Sequence, residues 1–307
     1  MPVHIEKVAW GGWPNCYRIS NGEVELVVTT DVGPRIMSFR FAGGVNLFKV
    51  VEEQLGKSGE PGWQMRGGHR IWLAPEDRFA SYAADNLPAE VSIEGGVLTA
   101  TQPVEPESGL RKQISIRMAD AGTSVEVLHR MQNCRETPFR FAAWALSIMS
   151  AGGIAVTGFP PRGSHAEILA PTNPLVMWAF TDLSDPRWGL LEKYLVLRQD
   201  PANANHTKLG HFNAKTWGAY FLNGDLFVKR YDADPTREYP DFGCSYETFA
   251  CADMLELETL GPLETVAPNA WLEHVETWSL HKAELKSPTS AEFDRILVPI
   301  LNPWLLA

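Results

Sequence analysis

The chain has 307 residues, 45% hydrophobic and 21% charged, with a formal net charge of −10 at pH 7. That profile supplies ample material for a core and fits one large all-β domain spanning 1–307. The acidic balance argues against nucleic acid and anionic membranes as partners, because both reward a basic surface, and no run of eighteen apolar residues offers a spanning helix.

The chain begins Met1-Pro2-Val3-His4-Ile5-Glu6, with neither a basic head nor an apolar stretch, so a cytoplasmic protein is expected. Its four cysteines form no C-x-x-C pair and read as free thiols of a reducing compartment. Eleven tryptophans is a high count, and an indole ring is a good platform for the C–H face of a sugar.

Strand signals dominate in chain order. Residues 23–29 alternate, with Val24, Leu26 and Val28 on one side. After the turn at Asp31-Val32-Gly33-Pro34, residues 35–41 alternate again, with Met37, Phe39 and Phe41 expected inward. A short run at 97–101 follows Gly95-Gly96. Leu110, Lys112, Ile114, Ile116 and Met118 share one strand face, answered by Val125, Val127, His129 and Met131 after a turn at Asp120-Ala121-Gly122. Residues 139–149 are nearly all apolar, as in a strand buried on both sides. The stretch 160–213, rich in Pro, Asn and Asp, reads as long loops with short pieces of structure. Asn223-Gly224 joins a tight hairpin between 219–222 and 226–230. Residues 274–280 alternate once more. A capping box at Thr289-Ser290-Ala291-Glu292 predicts one short helix in a tail of about 289–307, stopped at Pro299. Many short strands joined by turns point to a large antiparallel β-sandwich.

Three stretches carry functional side chains. Arg66-Gly67-Gly68-His69-Arg70-Ile71-Trp72 through Glu76 crowds cations, an imidazole, a flat ring and a carboxylate beside a Gly-Gly bend, where the backbone can approach something closely. A polar, aromatic loop containing Asp241 and Glu247 runs towards residues 255–260. There Leu255, Leu257 and Thr259 share one face and Glu256 and Glu258 the other, the carboxylates about 7 Å apart, before Gly261-Pro262 stops the strand. The eight histidines include no H-x-H or H-E-x-x-H pair, so no metal is expected. His129 reads as a satisfied core histidine, and His274 with Glu276 as a structural hydrogen-bonded pair.

In this order the pieces resemble the aldose 1-epimerase (galactose mutarotase-like) superfamily, and more closely an uncharacterised bacterial branch of it. The carrying residues are Asn21-Gly22-Glu23-Val24-Glu25-Leu26, Asp31-Val32-Gly33-Pro34-Arg35-Ile36, Arg66 through Trp72, Ala143-Trp144-Ala145-Leu146, Tyr239-Pro240-Asp241, 255–262 and His274-x-Glu276-x-Trp278. The resemblance, which runs to about Leu280, implies a supersandwich, to which the capping box adds a short C-terminal helix, binding a small-molecule sugar on a concave sheet without a cofactor. It carries the catalytic base onto Glu258, and Arg66 resembles the sugar-binding arginine of the sugar-phosphate branch. The family's acid histidine has no match, since Trp144 stands where it is expected, and His69 is our candidate in its place. Arg70, Trp72, Glu76, Trp144, Asp241, Glu247 and Glu256 complete the expected binding set. Mutarotation needs one group to take the anomeric proton and one to protonate the ring oxygen. The rivals are a non-catalytic carbohydrate-binding protein and a glycoside hydrolase or lyase. Against hydrolysis stands the placement of Glu256 and Glu258 on one side of any sugar.

Overall fold

The computed structural model describes residues 2–306, so Ala307 at the end of the expected tail lies outside the described residues. The alternating runs pair into two antiparallel sheets of eleven and ten strands. Across the first, the strands lie in the order His4–Trp10, Trp13–Ser20, Val24–Thr29, Arg35–Phe41, His69–Ala74, Phe139–Met149, Leu255–Leu260, Tyr246–Ala250, Thr207–His211 and Leu175–Met177, with Glu264–Val266 beside the start of Phe139–Met149. Across the second they lie in the order Trp188–Leu190, Tyr194–Arg198, Ile154–Gly158, Lys215–Leu222, Asp225–Asp232, Trp271–Lys282, Val125–Asn133, Leu110–Met118, Val97–Thr101 and Glu90–Glu94. Among the described residues no helix is long and apolar enough to cross a membrane.

The sheets close on a shared core. Leu26, Phe39, Ile71, Ala143 and Leu257 from the first meet Ile114, Val127, Phe227 and Trp278 from the second. Each large apolar side chain so buried contributes about 1.5–3 kcal/mol relative to exposure. Residues Phe141 to Met149 are all buried, because this strand lies at the middle of its sheet with apolar cover on both faces. The hairpin at Asn223-Gly224 has both turn residues at positive φ, 51° and 82°, which matches the twist of its strands.

Two expectations are corrected. A register irregularity between Val27 and Val28 turns Ile36, not Met37, into the inter-sheet core beside Phe39. Met37 packs in a separate cluster with Trp13, Cys16 and Val27. A bulge shifts the two-residue period by one, which alternation alone does not reveal. The helix also runs further than expected, from Ser290 to Leu305, through Pro299 and Pro303. Proline removes a backbone donor, but Phe293, Ile296, Leu297 and Leu301 form one apolar stripe on Val156, Trp217 and Val228 at the outer face of the ten-stranded sheet. Burial of that stripe holds the helix past both prolines. Its start is as read: Thr289 Oγ1 accepts from the Glu292 N–H at 3.4 Å. Thr289→Ala is expected to destabilise the protein by about 1 kcal/mol, read as a lower urea midpoint with an unchanged slope.

Candidate functional site

Alternation along five neighbouring strands decides which side chains leave the outer face of the eleven-stranded sheet. Arg70 and Trp72 come from His69–Ala74, Trp144 and Leu146 from Phe139–Met149, and Glu256 from Leu255–Leu260. Phe249 and Lys208 come from the two strands beyond. Together they floor a cavity of about 890 Å³. Its walls include Glu52, Trp63, Glu76, Tyr82, Trp178 and His206. Tryptophan rings meet edge to face here: Trp72 lies 5.5 Å from Trp144 at 73° and 5.7 Å from Trp63 at 63°.

The polar groups are held from beneath. Glu258 is fully buried, and its Oε2 accepts from Trp144 Nε1 at 2.7 Å and from Lys208 Nζ at 2.8 Å. Glu247, opposite Glu258 in the register of the neighbouring strand, also reaches Lys208 Nζ at 2.7 Å. Burial alone would lower the Lys208 pKa, but the two carboxylates outweigh it and hold the ammonium charged. Burial and the charge of Glu258 push Glu247 well up from the usual carboxylate range, against the opposing pull of Lys208. Lys208 Nζ also sits 4.6 Å from the ring centres of both Trp144 and Trp178.

Glu256 is in a different situation. It lines the cavity with Arg70 Nη2 at 3.9 Å. Burial, then the charge of Glu258, raise its pKa to about 7. Arg70 stacks over Trp72 at 4.1 Å and Trp63 at 5.2 Å, and burial lowers its pKa to about 10. A carboxyl group balanced between its two protonation states near neutrality can exchange protons with a bound hydroxyl.

Of the expected site residues, Arg70, Trp72, Glu76, Trp144 and Glu256 line this cavity. Glu247 and Glu258 lie beneath it, with Lys208 between them and the opening. Asp241 is half-buried beside Glu247, and burial raises its pKa. His69 and Arg66 are not brought to the cavity. Arg66 is fully buried against Glu60, Asn86 and the Lys57 carbonyl, and so ties loops together. The Gly67-Gly68 bend approaches the chain itself, since a Cβ at Gly67 would run into the Lys49 carbonyl and one at Gly68 into the Ile36 carbonyl. Glu258, expected to line the cavity as a buried base, is instead enclosed beneath it and held by Trp144 and Lys208.

His69 faces the opposite way, into the inter-sheet core. Its Nε2 lies 2.7 Å from His129 Nε2 and its Nδ1 2.9 Å from Ser147 Oγ. The protons can be placed by logic. His129 Nδ1 must donate to the His274 carbonyl at 3.0 Å, so neutral His129 accepts at Nε2, His69 donates there, and Ser147 donates to His69. Burial lowers the pKa of both imidazoles, as this neutral arrangement requires. Glu276 pairs with Lys229 at 2.6 Å and accepts from Trp278 Nε1 at 2.8 Å. The expected direct His274–Glu276 bond is replaced by a relay, in which His274 Nε2 reaches Thr259 Oγ1 at 2.7 Å and Thr259 donates to Glu276. His69, His129 and Glu276 place ligand atoms within 4.8 Å of one another. The 2.7 Å imidazole contact is nonetheless a hydrogen-bond length, and Lys229 already supplies the cation beside Glu276.

Sequence reasoning missed Lys208, Trp63, Trp178 and His206. Lys208 lies on a five-residue strand inside the stretch read as loops, and its carboxylate partners are 39 and 50 residues away. The available signal was alternation in Thr207-Lys208-Leu209, which is too short to stand out.

No family model and no curated protein matches the chain. Solved structures do. A galactose mutarotase-like protein from Lactobacillus casei superposes with a TM-score of 0.59 at 12% identity, covering 87% of this chain and 100% of that one. A galactose mutarotase related enzyme from Lactobacillus acidophilus gives 0.55 at 10% identity, covering 90% and 98%. A galactose mutarotase-like protein from Clostridium acetobutylicum gives 0.53 at 11%, covering 92% and 99%. The chain therefore has the galactose mutarotase-like fold, a sandwich of two large antiparallel sheets with one C-terminal helix.

Proposed function

We propose that the chain binds a sugar or sugar derivative in the cavity on its eleven-stranded sheet, and that it speeds the interconversion of that sugar's anomers by general acid/base catalysis. The observation that carries the reading is the cavity floor. Arg70 stacks on the Trp72 ring and Lys208 on that of Trp144, so the two indoles hold these donors at the cavity, and with Glu256 as an acceptor they meet the hydroxyls of a pyranose. The fold of the solved neighbours, whose names refer to galactose mutarotase, agrees with it.

In this reading Glu256 takes the proton of the anomeric hydroxyl, and His206, the imidazole on the same cavity's wall, delivers one to the ring oxygen. The ring opens, C1 turns, and the ring recloses on its other face. Glu258 and Glu247 act from beneath by fixing Lys208 and the Trp144 ring. The experiment is calorimetric titration with a panel of monosaccharides and their phosphates, followed by polarimetry on those that bind. Trp72→Ala is expected to weaken binding about tenfold, on the order of 1.4 kcal/mol. Equal affinity in that variant would show that the ring does not hold Arg70 for the ligand.

A second reading, binding without turnover, is favoured by one observation. The carboxylate expected as base, Glu258, is held by Trp144 and Lys208 beneath the cavity and does not line it. Binding with an unchanged rate of anomer interconversion selects it.

A further inference from the structure

We infer that the ligand of this cleft is a neutral oligosaccharide chain lying across the strands, not a lone monosaccharide. The inference rests on the sugar-binding reading above and extends it to ligand length and charge.

The central cavity does not end at its walls. Glu76 and Tyr82, on one wall, also border a second hollow of about 550 Å³ shared with Arg78. Phe180 and His206, on another wall, also border a third of about 420 Å³ that reaches Asn203 and Asn205. Each outer hollow shares two lining residues with the middle one, so the three adjoin, and we take them as one trough. Its middle part alone lies near the upper end of the ~300–1,000 Å³ range that encloses drug-sized ligands. A single hexose, much smaller, would leave both ends empty.

The chemistry along the trough suits a chain of sugars. At each junction between hollows an aromatic ring is left uncovered: Tyr82 is 38% exposed and Phe180 46%. An exposed ring beside a hollow gives each successive pyranose a face to stack on. Beyond Phe180 the lining includes the hydroxyl of Ser184 and the carboxamides of Asn203 and Asn205 beside the carboxylates of Asp182 and Asp185, groups that pair with sugar hydroxyls.

Charge narrows the class. Glu52, Glu53, Glu76, Asp253 and Glu256 line the middle hollow against Lys49, Arg70 and Lys208. Two buried carboxylates already engage Lys208, and Arg70 faces Glu256. The remaining balance is acidic, so a chain carrying uronate, sulfate or phosphate groups is repelled.

The test is calorimetric titration with length series, from monomer to hexamer, of β-1,4- and α-1,4-linked glucose, β-1,4-linked mannose, xylose and galactose. An oligogalacturonate series serves as the anionic comparison. Within the neutral series that binds, Kd is expected to fall at least tenfold between monomer and tetramer. Tyr82→Ala and Asn205→Ala, changes at exposed side chains, are expected to erase most of that gain with unaltered thermal unfolding. A monomer that binds as tightly as its hexamer overturns the inference while leaving the sugar-site reading intact. Tighter binding of the oligogalacturonates overturns the charge assignment, and hence the inference. Silence across every series overturns both.

Discussion

Lys208→Met is expected to destabilise the protein by about 3–5 kcal/mol at pH 7, the usual cost of removing one partner from a buried ion pair. The reason is what it leaves behind. Glu247 and Glu258, directly opposite each other on adjacent strands and both fully buried, would lose the ammonium that lies 2.7 and 2.8 Å from them. The pKa of Glu247, already raised, then rises further, because burial and the charge of Glu258 are no longer opposed by Lys208. A carboxyl whose folded pKa exceeds its unfolded value binds more protons when folded, so stability falls as pH rises between the two values. The variant should therefore regain stability as pH is lowered from 7 towards about 4.5, the ordinary glutamate value. Urea unfolding followed at several pH values reads this directly. Adding Glu258→Gln to Lys208→Met should recover part of the loss at pH 7. A single variant with wild-type stability at every pH would show that the lysine does not neutralise the pair.

Glu256→Gln is expected to slow anomer interconversion by about 10²–10⁴-fold, the range for loss of a general base. In the parent protein the rate should rise with pH through about 7, where Glu256 loses its proton. The glutamine variant should lack that limb altogether, with sugar affinity much less affected. Glu258→Gln should behave differently. It removes an acceptor from Trp144 and Lys208, and it also removes the neighbouring charge that raises Glu256, so the limb should move to lower pH. Polarimetry from pH 5 to 9 on both variants separates the roles. If Glu256→Gln keeps both the rate and the limb, the base lies elsewhere.

The sandwich was legible in the sequence because its strands announce themselves in a two-residue period, as at Leu110–Met118 and Val125–Asn133. Part of the cavity floor was legible for the same reason, since Arg70, Trp72 and Glu256 sit on faces that alternation defines. The same rule already separates His69 from Arg70, because consecutive residues of one strand point to opposite faces. Grouping them as one cluster by closeness in sequence hid that. Arg66 was out of reach, since its partners Glu60 and Asn86 come from loops whose path no local pattern encodes. Lys208 was missed because its role is defined by Glu247 and Glu258, and a contact between distant strands leaves no periodic trace.

The Lys229 ammonium has a consequence for how the cleft moves. From the ten-stranded sheet it donates across the core to the Ala145 and Leu257 carbonyls, on the two neighbouring strands that carry Trp144 and Glu256 on their far side. The floor is thus fastened from behind to the opposite sheet. Amide hydrogens of those two strands should exchange with solvent deuterium only through global unfolding. Breathing that admits a ligand then belongs to the rim, to segments such as Glu52–Gln54 and the chain around Phe180, while the floor keeps its shape.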